Sequence, residues 1–175
     1  MEDYAQVIEA FFAVYQVTFD QEWLDCCILL TNRAIGNFYD HEEELFYFTD
    51  KDAEALIARK KEIFDNVIPA SNSVMAQNLF LLGKFLENER YQEISEKMIS
   101  KMAPLLIKEP RYVANWGTLY TLMNRPMAEI AIVGEQHLTL AREIQRQFRP
   151  HIVLAASEDE GDLPILRNRN AIDGK

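Results

Sequence analysis

The chain has 175 residues, 49% of them hydrophobic and 11% aromatic, which excludes a disordered tail, a collagen-like repeat and a disulfide scaffold and suits one domain of ordinary size. A chain of this length buries roughly 70% of its unfolded surface, enough for a real core. Lys and Arg number 18 against 28 Asp and Glu, a net charge of −10, and a surface that coats nucleic acid should carry the opposite sign.

From Tyr4 the apolar residues Val7, Ile8, Phe11, Phe12, Val14 and Tyr15 fall at the three-and-four spacing of one helix face. Asp3 with Gln6 reads as a capping box that opens this helix. Asp20 is placed to cap a second helix through Trp23, Leu24, Cys27, Leu30 and Ile35, and the short link between the two makes an antiparallel hairpin. Cys26 and Cys27 are the only cysteines. Neighbours in sequence are poorly placed for an ordinary disulfide, so they read as small apolar residues in a reducing compartment. The opening Met-Glu-Asp-Tyr lacks the basic patch and apolar run of a signal peptide. No apolar stretch approaches the length of about 18 residues that a membrane span needs, and the expectation is a cytoplasmic chain without a membrane partner.

Asn37 to Asp50 breaks the helical period: Glu42, Glu43 and Glu44 precede the aromatic-rich run Leu45, Phe46, Tyr47, Phe48, which reads as a loop with a short extended piece. Ala53 to Lys61 is read as a helical turn or two, before Pro69 stops any helix and forces Ile68 toward an extended conformation. A third helix follows Asn72 or Ser73 and carries Val74, Met75, Leu79, Leu82, Phe85 and Leu86. A fourth carries Tyr91, Ile94, Met98, Met102 and Leu105. Pro110 suits the first turn of a fifth, with Tyr112, Trp116, Leu119, Tyr120 and Met123. After Pro126, Glu129–Val133 and Ile152–Ala155 read as two strands flanking a helix through Leu138, Ala141, Ile144 and Phe148, a small βαβ unit with parallel strands. Ser157 to Lys175 has no period and is expected to wrap the surface or fray. The organisation is thus helical hairpins over 1–126, a βαβ unit over 127–156 packed on the same domain, and an irregular tail over 157–175.

His41, His137 and His151 lie in different segments without ligand spacing, so neither a metal nor a cofactor is expected. Gly134 stands alone where a dinucleotide fingerprint needs three glycines, and reads as a turn glycine. Tyr15, Trp23 and Trp116 suit a core, although such rings also stack on sugars. The segment Arg59 to Ser73 concentrates hydrogen-bonding side chains around Pro69 just before an apolar helix. Such groups hold an anion or a hydroxyl-rich ligand at a helix N-terminus. In the plainer alternative Asn72 and Ser73 cap their own helix, and Arg59 and Asp65 form a solvated ion pair.

Arg59, Lys61, Glu62, Asp65, Pro69, Asn72 and Ser73 spell R-x-K-E-x-x-D-x-x-x-P-x-x-N-S. With Asp3-Tyr4-Ala5, Thr18-Phe19-Asp20 before Trp23-Leu24, Ile132-Val133-Gly134 and Leu163-Pro164, this pattern resembles a family of large proteins. In that family an N-terminal thioredoxin-like domain precedes a six-hairpin (α/α) toroid, and the spermatogenesis-associated thioredoxin-like proteins belong to it. The chain departs from the family at Ala70-Ser71, where Ser-Gly is usual, and at Leu45, near a position often held by glycine. Serine adopts positive φ poorly, so the first departure bears on the turn before Asn72.

The resemblance implies a mainly α fold, a partial (α/α) six-hairpin toroid of antiparallel hairpins with one βαβ unit near the C-terminus. It also implies that the chain corresponds to a C-terminal part whose partner is an upstream thioredoxin-like domain. Similar toroids occur in N-acylglucosamine epimerases and several glycosidases, which implies a sugar ligand at the toroid mouth. Asp65 and Glu62 would then be catalytic carboxylates, Asn72 and Ser73 would bind hydroxyls, Arg59 and Lys61 would orient charge, and Tyr47 would stack on the sugar. The alternative is a non-catalytic scaffold that holds the thioredoxin-like domain against a client, the motif locking loops together. A partial toroid leaves end hairpins without neighbours, so self-association is expected.

Overall fold

Two helical hairpins lying side by side form the body of the molecule. In the computed structural model, which describes residues 1–53 and 58–169, the chain is mainly helical with two small two-stranded sheets. Helix α1 (Glu2–Thr18) is joined to α2 (Gln21–Phe38) by two residues, and α3 (Ser71–Phe85) to α4 (Glu89–Lys108) by three. Links this short fold each pair back on itself. Helix α1 packs on α3, which joins the hairpins, and α5 (Ala114–Met123) packs against both α3 and α4.

Asp20 caps α2 as its sequence position predicts, accepting the Glu22 N–H at 3.1 Å. The capping box expected of Asp3 and Gln6 does not form, because the helix begins two residues earlier, with Met1 as its cap. The Ala5 N–H bonds the Met1 carbonyl, while the Met1 ammonium donates to Phe48 O at 2.9 Å. Pro110 does not open α5 either. It opens a separate 3-10 turn (Pro110–Tyr112), and Val113, at φ −136° and ψ 36°, breaks the helical path before α5 starts. Tyr112 is therefore outside the helix and half-exposed. Of the helical turn expected within 53–61, residues 54–57 lie outside the described residues, and 58–61 are not helical.

Most residues of the helix faces read from spacing are in the core, but Val7, Tyr120 and Leu138 are exposed. Tyr15, Phe85, Tyr91 and Trp116 are fully buried, and Trp23 is half-buried edge-on to Phe11 at 5.1 Å. Cys26 and Cys27 are free, the second buried beneath α1 with its thiol aimed at Ile8 O. No helix among the described residues is long and apolar enough to cross a membrane.

Strands β1 (Tyr39–Asp40) and β2 (Leu45–Phe46) form a short antiparallel hairpin, Tyr39 opposite Phe46, with Glu44 in the left-handed region at φ 58°. This is the extended piece predicted between Asn37 and Asp50. Strand β3 (Ala128–Val133), α6 (His137–Gln145) and β4 (Ile152–Ser157) form the βαβ unit, and the strands are parallel, with Ala128 opposite Ile152 and Val133 opposite Ser157. Gly134 takes φ 133°, a conformation that a side chain would strain, and so serves as the turn glycine after β3. Phe148, read from sequence as part of α6, lies beyond it and is 93% exposed. Alternation along the strands divides their side chains. Ile132, Leu154 and Ala156 meet Ala141 of α6, while Val153 and Ala155 join the main core. Helix α1 also lies against the outer margin of β4, where Gln16 Oε1 accepts the Leu154 N–H at 3.1 Å. In the tail, a second 3-10 turn (Pro164–Leu166) buries Ile165 and Leu166 against the same core, so this stretch wraps rather than frays. Residues 170–175 lie outside the described residues.

Candidate functional site

Asp65 is where the motif converges. Its Oδ1 accepts the Ala70 N–H at 2.9 Å, and its Oδ2 accepts the Asn115 N–H at 2.8 Å. Ala70 precedes α3 and Asn115 lies in the first turn of α5, so one carboxylate faces the N-termini of two helices, each a partial positive charge. The Asp65 N–H itself donates to Tyr112 O at 2.7 Å. Glu62 does similar work one residue further on, its Oε2 accepting the Ser71 N–H at 3.1 Å.

Asn72 and Ser73 are not caps. Helix α3 begins at Ser71, and both residues are fully buried inside its first turn. Asp65 and Glu62, reaching in from the loop, meet two of the free amides at this helix start, those of Ala70 and Ser71. The Asn72 side chain is released to bridge elements. It accepts the Phe46 N–H at 2.7 Å and donates to Phe46 O at 2.9 Å and Glu62 O at 2.8 Å. Ser73 Oγ donates to Ala70 O at 2.8 Å, lies 3.3 Å from Asp65 Oδ1 and accepts from Asn115 Nδ2 at 3.0 Å. Ser71 is helical, so no positive φ is demanded of it and serine fits there without strain. The Trp116 indole N–H completes the set by donating to Ile63 O at 2.9 Å.

Arg59, Lys61 and Tyr47 form a second group, linked to the first through β2. The Arg59 guanidinium lies 4.0 Å from the Tyr47 ring centroid and donates to Thr49 O at 2.6 Å, so it makes no ion pair with Asp65. Lys61 lies 4.4 Å from the same centroid and is ion-paired to Asp40 and Glu43. The Lys61 ammonium bonded to Asp40 holds that carboxyl well below the usual carboxylate range, with a smaller contribution from Tyr47.

Thus Glu62, Asp65, Asn72 and Ser73 come together through hydrogen bonds, and Arg59, Lys61 and Tyr47 come together through their stacked charges. Sequence reasoning missed their partners Asp40, Glu43, Phe46 and Asn115. Only the acidic run at Glu42–Glu44 hinted that an anion was available for Lys61. Beside Asp65 the surface opens into a groove of about 470 Å³ lined by Phe64, Asn66 and Tyr112. The Phe64 and Tyr112 rings, half-exposed, stand edge to face at 6.4 Å. Among the described residues no three His, Cys, Asp or Glu side chains are grouped so as to hold a metal ion.

The fold and this site define a mainly helical domain whose hairpins are fastened by a polar loop. No protein-family model matches the chain. It is distantly related to human spermatogenesis-associated protein 20, with 21% identity over 165 residues, 91% of this chain and 21% of that protein. Mouse spermatogenesis-associated protein 20 is 21% identical over 136 residues, 77% of this chain and 17% of that protein. The chain therefore spans about a fifth of the length of the curated relatives it matches.

Proposed function

We propose that this chain is a non-catalytic helical scaffold, part of an α/α toroid in a longer protein, that holds an upstream thioredoxin-like domain against a client. The observation that carries the reading is the occupancy of Asp65: both oxygens accept main-chain N–H groups, one from each of two helix starts. With an acceptor position on each oxygen taken by the chain itself, the carboxylate suits a structural tie between the two helix starts. Asn72 and Ser73, the expected hydroxyl-binding pair, are fully buried, and their polar atoms are engaged within the chain. The motif is thus well suited to locking loops. The buried Cys27 thiol and the lack of any other cysteine besides Cys26 suit a reducing, cytoplasmic setting.

Asp65→Ala removes two charge-assisted hydrogen bonds, each worth about 1.5–3 kcal/mol. The scaffold reading expects a melting temperature lower by roughly 6–24 °C, with no shift of either protein on adding a panel of monosaccharides. Unchanged melting of the Asp65→Ala protein overturns it.

A second reading, sugar binding, has one observation in its favour, the half-exposed Phe64 and Tyr112 rings bordering a groove with Asn66. There the rings would supply stacking surface, and Asp65 would position the wall without reacting. A monosaccharide that raises the melting temperature of the parent chain and not of Tyr112→Ala would establish it; no response from either would remove it.

A further inference from the structure

We propose that the outer edge of β3 is a docking strand for an extended segment of a protein partner, basic at one end, which adds to the parallel sheet as a third strand. In a parallel strand, alternate residues direct both N–H and C=O toward the same neighbour. The N–H groups of Ala128 and Gly134 bond His151 O and Ser157 O at 2.9 and 3.0 Å. Even-numbered residues of β3 therefore face β4, and Glu129, Ala131 and Val133 turn their main-chain groups outward. No described residue bonds those outward groups, and the elements chiefly packed on β3 are β4, α6 and the Pro164–Leu166 turn. The other margin of the sheet differs, being obstructed at its middle, where Gln16 takes the Leu154 N–H.

Charge selects the occupant. Because the strands are parallel, their C-terminal ends lie together at one end of the sheet. Glu135 follows β3 there, and Glu158, Asp159, Glu160 and Asp162 follow β4. All five are exposed, and none forms an ion pair among the described residues, not even with Arg167 or Arg169 nearby in sequence. A strand laid along β3 runs into this acidic end, on a chain whose net charge is already −10. At the opposite end a cleft of about 280 Å³ between Phe80, Met123, Met127 and Glu129 is placed to take one side chain of the added strand. Main-chain pairing gives such a complex its affinity, and the cleft and the acidic end give it selectivity. The inference rests on the scaffold reading for its biological role, though not for the binding itself.

The probes are two fluorescent peptides, Val-Thr-Val-Thr-Val-Lys-Lys-Lys and the same strand with its lysines at the N-terminus, titrated by anisotropy against the whole chain. One order binds saturably, and its affinity falls as salt rises. Ala131→Pro weakens it about tenfold or more, because proline there deletes an outward N–H and no ladder bond. Reversing Glu158 and Asp159 to lysine, which leaves the edge intact, weakens it comparably and flattens the salt dependence; this variant carries the test if Ala131→Pro loses its circular dichroism signal. Absence of binding by both peptides, or binding indifferent to both variants, overturns the proposal. Sedimentation showing a dimer that Ala131→Pro dissociates, with no peptide bound, also overturns it, by giving the edge to a second copy. Neither failure touches the melting of Asp65→Ala, on which the scaffold reading stands.

Discussion

The Asp65 carboxylate and the Asn115 main-chain amide, 50 residues apart in sequence, meet at 2.8 Å. Since the other carboxylate oxygen holds Ala70, the side chain ties the start of α3 to the start of α5 and fixes the loop that carries it. Glu62, Asn72 and Trp116 add bonds from the same loop to α3 and α5, and Asn72 also ties α3 to β2. A segment with little regular structure of its own is thereby tied to the helices around it at several points.

Asn72 should be the most sensitive polar position in this arrangement. Asn72→Ala leaves the Phe46 N–H and two carbonyls without partners in a fully buried setting. Urea unfolding should show a loss of about 2–4 kcal/mol. Asn72→Asp keeps an acceptor for Phe46 but buries a charge facing two carbonyls, so its loss should be at least as large.

The Asp40–Lys61 pair predicts how stability changes with acid. Bonded to Lys61, Asp40 titrates lower in the folded chain than its ordinary value of about 3.9 in the unfolded one. A depressed carboxylate contributes stability that is fully present above its unfolded value and is lost as pH falls toward the folded one. The advantage of the parent chain over Lys61→Met should therefore be level from about pH 5 to 8 and shrink steadily below pH 4. Chemical denaturation at a series of pH values checks this, and an advantage constant down to pH 2 would contradict it.

Gly83 marks the closest approach of α3 to the start of α4. A Cβ built there would lie 2.7 Å from Gln92 Cγ and 3.1 Å from the Gln92 main-chain nitrogen. The Gly83 carbonyl meanwhile accepts the Asn88 N–H at 2.9 Å and Gln92 Nε2 at 3.0 Å, so the helices have little room to part. Gly83→Ala should cost about 1–3 kcal/mol despite the better helix propensity of alanine, measured as a lower denaturation midpoint.

The two cysteines should separate by reactivity. Burial, with Cys26 beside it, pushes the Cys27 thiol up to about 12, so almost no thiolate is present near neutral pH, whereas Cys26 is partly exposed. Iodoacetamide at pH 8 followed by mass spectrometry should add one label to the folded chain and two after denaturation.

Much of this was written in local sequence, and the division follows distance along the chain. Helix faces repeat within four residues and strands within two, so α1, α3, α4 and both strands of the βαβ unit were legible from apolar spacing, and Asp20 was legible as a cap because its donor lies two residues away. Asn72 was not. An asparagine before an apolar run reads as a cap whether or not its side chain turns back into the core, and its true partner, Phe46, is 26 residues distant with no spacing to announce it. Asn115 and Asp40 escaped notice for the same reason. Pro110 misled because a proline suits the first turn of a 3-10 helix as well as that of an α-helix. The resemblance drew attention to the motif, while the division of labour within it became visible only through contacts across the fold.

The bond between Gln16 and Leu154 makes the two margins of the parallel sheet unequal. In the language of polymer chemistry, a strand pair open at both margins is a bifunctional monomer that grows without limit, the route to fibres. Here one margin is occupied by the chain's own first helix, 138 residues away in sequence. Growth of the parallel sheet is therefore one-sided: a strand from outside adds at β3, and any further strand must add to the outer edge of that one, because the β4 side is obstructed at Leu154.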